Sequence, residues 1–338
     1  MKIIALDASR DWPHNVVCAE VAPPPAPGPG QVLVAIEAFP VNPADLLVLH
    51  GRYGPRPAGA DKAAADFPLQ PIGAEGGGRV LATGPDVHDL KPGQRVVLLS
   101  RKNWVEQALV PRSDVVPVRQ DLDRLQQAML KVNPCSAHLL LHSEGVLSPG
   151  AWLIQSGANS ALGRMVIRMA RREGFRSVNV VRREDAAKVC REAGGDIALL
   201  DGPDLAQRVA GATGGASIVL GLDAVGGETT RRLGQCLADK APLLVYGFLG
   251  ADQVHLDTAD LLFRGIRLKG FERSPLLPVE PSALAQLFES IAALVADGTA
   301  ASEIEAVYDM ADIHAAIEHA SRDARRGKVL VRTPEFGR

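Results

Sequence analysis

The sequence predicts an α/β fold in two parts, a β-rich and partly barrel-like domain plus a doubly wound parallel sheet. Short apolar runs punctuated by Pro and Gly fill residues 1 to about 120, which is the signature of strands joined by turns. Beyond about residue 121 buried strands alternate with single amphipathic helices, the rhythm of parallel pairing through right-handed crossovers. A chain of 338 residues also exceeds what one hydrophobic core usually serves.

In the first part the strand runs are KIIAL, QVLVAIEAF, GGRVLATG, QRVVLLS and WVEQALV. APPPAPGPGQ, residues 22–31, reads as an exposed polyproline-prone connector within the domain, because strand signals resume at once. Next comes DRLQQAMLKVNPCSAHLLLHSEG, helical in two pieces broken near Pro134, then the strand AWLIQSG and the helix ALGRMVIRMARREG, ended by Gly174. SVNVVR, DIALLD, ASIVLGLD, APLLVYGFLG and IRLKGF continue the strands, with EDAAKVCREAGG, LAQRVAGATGG and ETTRRLGQCLAD as the intervening helices. PSALAQLFESIAALVADGTA is a further amphipathic helix, and a strand, a helix and a last strand close the chain. That last strand is expected to rejoin the first part, so the expected domains are 1–120 completed by 305–338, and 121–304.

With 46% apolar and 22% charged residues, a formal charge of -2 and both signs interspersed, the chain shows no electrostatic footprint for nucleic acid or an anionic membrane. MKIIALDASRDWPH has too short an apolar run for a signal peptide, and no stretch is long enough for a membrane span, so a cytoplasmic location is expected. Cys18, Cys135, Cys190 and Cys236 are far apart and without CxxC spacing, which favours reduced structural thiols over disulfides or a cysteine zinc site.

The turn after the first strand of the parallel sheet is where a dinucleotide pyrophosphate would meet a helix N-terminus. In the GxGxxG register it reads Ala158, Asn159, Ser160, Ala161, Leu162, Gly163, with only the last glycine present. Small residues at 158 and 160 and the helix-packing glycine at 163 still suit the task, but the pattern alone leaves an ordinary strand-to-helix turn as an equal reading. Arg182 and Arg183 end the second strand where an NAD site carries an acidic residue. Guanidinium groups match a 2′-phosphate, so NADPH is the expected cofactor, against a solvated charge run that includes Glu184 and Asp185.

VNPADLLVLHGRYG, VNPCSA, IQSGANSALG and VNVVRRED together resemble the medium-chain dehydrogenase/reductase superfamily, and within it the zinc-free 2-enoyl thioester reductases of the mitochondrial type. The resemblance runs over almost the whole chain. It implies a GroES-like catalytic domain, a Rossmann NADP-binding domain, and a homodimer formed by edge pairing near LLVYGFLG and IRLKGF. It also implies cofactor contacts from Asn133, from Asn159, Ser160 and Gly163, from Arg182 and Arg183, from Tyr246 and Gly247, from Phe271 and from Lys328.

Metal-dependent relatives carry a cysteine where this chain has Asn42 of NPAD and a histidine where it has Ala74 of GAE, so no metal site is expected. His50 and His142 read as surface or cap residues. The chemistry that remains is conjugate reduction of an activated double bond, with a hydroxyl to protonate the α carbon. Tyr53 in GRYG corresponds to the tyrosine that the resembled family uses for this; by position alone it reads as a packed loop aromatic. Asn42 either donates to substrate or shapes the turn before Pro43. Trp104 either borders the acyl site or anchors the core, and Asp223 reads as a turn acceptor. Glu272, where the family has an aromatic, and the loop from Arg56 to Gln70 with Asp61, Lys62 and Asp66 depart from the pattern. The expected substrate is an enoyl thioester, with an enone or quinone as alternative, and a non-catalytic NADPH-binding protein as the reading from another class.

Overall fold

The computed structural model describes residues 1–7, 14–53, 69–322 and 325–337. Gly54, Asp61, Lys62 and Asp66, singled out above, lie outside them. The chain divides into two compact units, 1–132 with 279–297 and 301–338, and 133–278 with 298–300.

The first unit opens with strands β1 (Lys2–Asp7), β2 (Val16–Glu20) and β3 (Gln31–Pro40) and helix α1 (Pro43–Leu49). It continues with β4 (Leu69–Pro71), β5 (Gly77–Thr83), β6 (Arg95–Leu98), β7 (Gln107–Pro111), β8 (Val115–Pro117) and the short α2 (Arg124–Gln127). The second unit runs α3 (Asn133–His142), β9 (Trp152–Gln155), α4 (Ala161–Arg172), β10 (Arg176–Val181), α5 (Glu184–Glu192) and β11 (Ile197–Leu200). It is completed by α6 (Leu205–Thr213), β12 (Ile218–Asp223), α7 (Glu228–Cys236), β13 (Pro242–Val245), α8 (Thr258–Leu262) and β14 (Arg267–Gly270). The chain then returns to the first unit with α9 (Pro281–Ala296), β15 (Ile304–Asp309), α10 (Ile313–Ser321) and β16 (Lys328–Arg332).

In the first unit β2-β1-β4 form a small antiparallel sheet, and a larger sheet has the order β15-β16-β3-β5-β6-β8, with β7 also on β3. β3 is buried without a break from Val34 to Pro40, so both its faces are covered and the polar–apolar alternation of a one-sided strand is missing. The last strand rejoins this unit as expected: β16 pairs antiparallel with β3, Leu330 opposite Pro40. Residues 121–132 and helix α9 also belong here, so the first segment ends later, and the return to it begins earlier, than the sequence boundaries at 121 and 304. An amphipathic helix looks the same whichever sheet receives its apolar face, and α9 buries Leu284, Phe288, Ile291 and Val295.

The second unit is a six-stranded sheet, β11-β10-β9-β12-β13-β14, parallel throughout. Its strand order reverses beside β9, the crevice where ligands of doubly wound sheets bind at the carboxyl ends of the strands. The segment is helical in two pieces, α2 and α3, with the break just before Pro134, which lies in the first turn of α3, where its missing N–H has no partner to lose.

Candidate active site

Six carboxyl ends share one edge of the parallel sheet, and most of the expected cofactor residues fall there. After β9 the chain turns through Gly157 to Ser160 into α4, whose Ser160 is the N-cap, its Oγ accepting from the Gly163 amide at 3.0 Å. The first amides of a helix have no intrahelical partner, so they are available to an anion. A Cβ on Gly163 would stand 2.5 Å from the Ala158 carbonyl oxygen, so helix and turn approach this closely only with glycine there. Asn159 is exposed at the tip of the turn.

At the end of β10, Arg182 and Arg183 are exposed. Of the acidic neighbours, Glu184 accepts from Arg191 at 2.6 Å, whereas Asp185 accepts from Arg183 Nε at 3.0 Å and so engages one of the two arginines itself. At the end of β12, Asp223 is fully buried and acts as a turn acceptor, as expected. It takes hydrogen bonds from Ser156 Oγ at 2.6 Å, Thr230 Oγ1 at 2.6 Å and the Val225 amide at 2.9 Å.

Tyr246 follows β13, its amide bonded to the Asp223 carbonyl at 2.9 Å. Its hydroxyl is buried with no hydrogen-bond partner among the described residues. Burial, with the Asp223 charge adding to it, pushes this phenol well above the ordinary tyrosine range. A neutral, buried and unsatisfied donor is an unfavourable arrangement unless a ligand completes it. Gly247 lies against the 224 carbonyl, and the Phe271 amide bonds Val245 O at 2.8 Å, which sets it at the end of β14. Asn133 opens α3 and is half-buried. A small-residue turn onto a helix N-terminus, an exposed arginine pair and an orphaned hydroxyl at strand ends fit a dinucleotide phosphate.

The remaining expected residues belong to the first unit, and several prove structural. Lys328 is 5% exposed, and its ammonium donates to Asn42 Oδ1. Burial holds this ammonium below the ordinary lysine range. Asn42 is 1% exposed; its Nδ2 donates to Glu75 Oε1 at 2.9 Å, and Glu75 Oε2 accepts the Val132 amide at 2.7 Å. With both ends of its amide engaged and almost no exposed surface, Asn42 shapes the turn instead of meeting a substrate. The same enclosure sets Lys328, expected as a cofactor contact, beside Asn42 in the interior of the first unit. Asp45 completes the group as the N3 residue of the α1 capping box, accepting from Asn42 N at 2.9 Å and Ala74 N at 2.7 Å. Burial lifts its carboxyl to about 6. Trp104 is fully buried and stacked on Phe39, ring centroids 5.3 Å apart, which is the core-anchor reading.

Tyr53 is different. It lies beyond the end of α1, past Gly51 in the left-handed region at φ +64, and it is 46% exposed. Arg101 Nη1 donates to its hydroxyl at 3.4 Å, and the guanidinium carbon sits 4.6 Å from the ring centroid. Sequence reasoning missed Arg101, since an arginine 48 positions away carries no local signal of contact.

Two family models match the chain, the alcohol dehydrogenase GroES-like domain over residues 28–116 and the zinc-binding dehydrogenase model over residues 161–293. The mitochondrial enoyl-[acyl-carrier-protein] reductase of Caenorhabditis elegans is 30% identical over 286 residues, 82% of this chain and 79% of that protein. The enzyme of the same description from Dictyostelium discoideum is 30% identical over 251 residues, 71% of this chain and 68% of its own. Among solved structures, a 2-haloacrylate reductase superposes with a TM-score of 0.84 at 22% identity, covering 98% of this chain and 99% of its own. Escherichia coli quinone oxidoreductase complexed with NADPH superposes at 0.85 and 18% identity, covering 98% of this chain and 100% of that one. Among the described residues no group of three or more His, Cys, Asp or Glu is arranged to hold a metal ion.

Proposed function

This chain belongs to the medium-chain dehydrogenase/reductase superfamily, with the mitochondrial enoyl-[acyl-carrier-protein] reductases among its relatives, and on that premise we propose that it is an NADPH-dependent reductase of activated carbon–carbon double bonds, with 2-enoyl thioesters as substrate class. Arg182 and Arg183 hold the 2′-phosphate, the Asn159–Gly163 turn receives the pyrophosphate, and the Tyr246 hydroxyl finds its missing partner on the bound ligand. NADPH supplies a hydride for the β carbon. Tyr53 donates the proton that the α carbon needs once charge has moved onto the thioester carbonyl.

The observation that carries this reading is the state of the three tyrosines. Tyr246 keeps its hydroxyl buried and Tyr308 binds its own to His319 at 2.9 Å, whereas Tyr53 presents an exposed phenol. Zinc-independence is part of the proposal, supported by Asn42 and Ala74 at the ligand positions of metal-dependent relatives. Tyr53→Phe tests the core of it: NADPH affinity is unchanged and turnover of a crotonyl thioester falls roughly 10²–10⁴-fold, the contribution of a positioned general acid. Near-normal turnover would sink the assignment. A quinone needs no such donor, so quinone reduction that survives Tyr53→Phe, with no thioester activity in the parent, would move the substrate class to quinones. NADPH binding without turnover of thioesters, enones or quinones would instead mark a binding protein.

A homodimer is proposed through the β14 edge, beside which Leu262 and Phe263 are 70% and 85% exposed; a monomer on sizing chromatography overturns it. Cysteines without disulfides suit a reducing compartment, and a cytoplasmic location is proposed accordingly, to be checked by fractionation.

A further inference from the structure

We propose that Arg101 is a positioning residue for Tyr53, fixing the direction of its hydroxyl proton and balancing the charge left when that proton departs. The inference rests on the reading of Tyr53 as proton donor and goes beyond it, since the contact joins two segments that no local pattern connects.

An exposed tyrosine following a short helix ordinarily has a choice of rotamers and a hydroxyl hydrogen bonded to whatever water is near. Tyr53 is instead held at two places by one side chain. The guanidinium lies over the ring at 4.6 Å, and Nη1 reaches the hydroxyl oxygen at 3.4 Å, the long end of the hydrogen-bond range. Arginine has no acceptor, so in this pair the phenol oxygen can only accept. Its own hydrogen is thereby left to point at a third group, and a proton donor to carbon requires that freedom.

The loop that carries Arg101 is built to hold it. Lys131 is 2% exposed, and its ammonium donates to the carbonyls of Leu99 at 3.0 Å and Ser100 at 2.7 Å, the two residues before Arg101. On the other side, Lys102 adopts the left-handed region at φ +79, strained for a lysine, and its amide bonds the Gly73 carbonyl at 2.8 Å. Asn103 closes the turn with Nδ2 on Ser100 O at 2.8 Å. A buried cation and a strained residue therefore fix the backbone on both sides of one exposed arginine.

The proton balance is simple. The Tyr53 O–H bond breaks as the α carbon–hydrogen bond forms, the phenolate oxygen is left beside the guanidinium, and water returns a proton to it before the next turnover. A fixed cation beside an oxygen that becomes anionic in the transition state strengthens most at that moment, so it raises turnover more than binding.

The test is a double-mutant cycle of Arg101→Gln and Tyr53→Phe, with crotonyl thioester and NADPH, read as kcat, KM and the solvent deuterium isotope effect on kcat. Arg101→Gln is expected to lower kcat about tenfold or more, part of the roughly 10²–10⁴-fold that a positioned acid contributes, with KM little changed and a larger isotope effect. In the Tyr53→Phe background the same change is expected to have no further effect, and Arg101→Lys is expected to recover part of kcat by restoring the charge. Equal losses in both backgrounds, or a change in KM alone, would overturn the role for Arg101. So would an unaffected kcat in Arg101→Gln when Tyr53→Phe is itself inactive. Near-normal turnover in Tyr53→Phe overturns the proton-donor reading instead, so the two failures are distinguishable.

Discussion

Each unit buries a polar cluster, and the two are satisfied by different means. In the second, Asp223 ends a parallel strand and is met by hydroxyls and turn amides, which are neutral donors. In the first, Asn42 stands between Lys328 and Glu75, with Asp45 beside them, so full charges of both signs lie in the interior. Turn amides are supplied wherever a strand runs into a glycine-containing turn, so a carboxylate there needs no counter-charge. The first unit gathers segments from distant parts of the chain, and charged side chains are what connect them. The Asn42 cluster, with a carboxyl lifted to about 6 and an ammonium lowered by burial, is expected to respond to pH.

The largest break in this contrast is expected from Lys328→Met. It strips the cation from Asn42 and leaves Glu75 with a buried charge, at a cost of about 3–5 kcal/mol in chemical denaturation. A loss below about 1 kcal/mol would show that the cluster does not depend on its charges.

The pH response comes next. The Asp45 carboxyl titrates near 6 in the fold and near 3.8 otherwise, so between those values the folded state holds the proton more tightly than the unfolded chain. Stability from Asp45 is therefore greatest at the acid side and falls as pH rises from about 4 to 6, by about 3 kcal/mol. Lys328, lowered in the fold, acts the other way at high pH: stability increases with pH between its folded value and the ordinary 10.5. Denaturation of the parent and of Asp45→Asn across pH 4–7 should give curves that converge toward one side, and parallel curves would refute the assignment.

Asp223→Ala strands two hydroxyls and the turn amides but no opposing charge, for a smaller loss of about 2–3 kcal/mol. The smallest effect sharpens the picture at the helix end: Ser160→Ala removes the cap on the Gly163 amide and costs about 1 kcal/mol. NADPH affinity in that variant should fall as well, and unchanged affinity would remove Ser160 from the phosphate site.

Much of this was legible from spacing. Asn42 and Asp45 stand three apart before an apolar run, as a capping box does, and at α4 the Ser160 side chain alone caps the Gly163 amide. Arg182 and Arg183 were visible because a strand's length fixes how far from the turn its end must fall. The burial of Lys328 was not legible, because it depends on β16 pairing with β3 nearly 290 positions earlier. Trp104 could be assigned to the core only once Phe39 was known to lie against it.

By itself the sequence determined the class of fold, the order of the parallel strands' segments and the chemistry offered at their carboxyl ends, because strand periods, caps and glycine turns are local effects. Only the tertiary structure decided which polar residues are enclosed and which are presented. Enclosure depends on segments that meet through folding: Lys328 with Asn42, Trp104 with Phe39, and Arg101 with Tyr53. The last pair converts a tyrosine whose place in the chain suggested packing into one whose hydroxyl is oriented, and that orientation is a property of two loops brought together, with no trace in either alone.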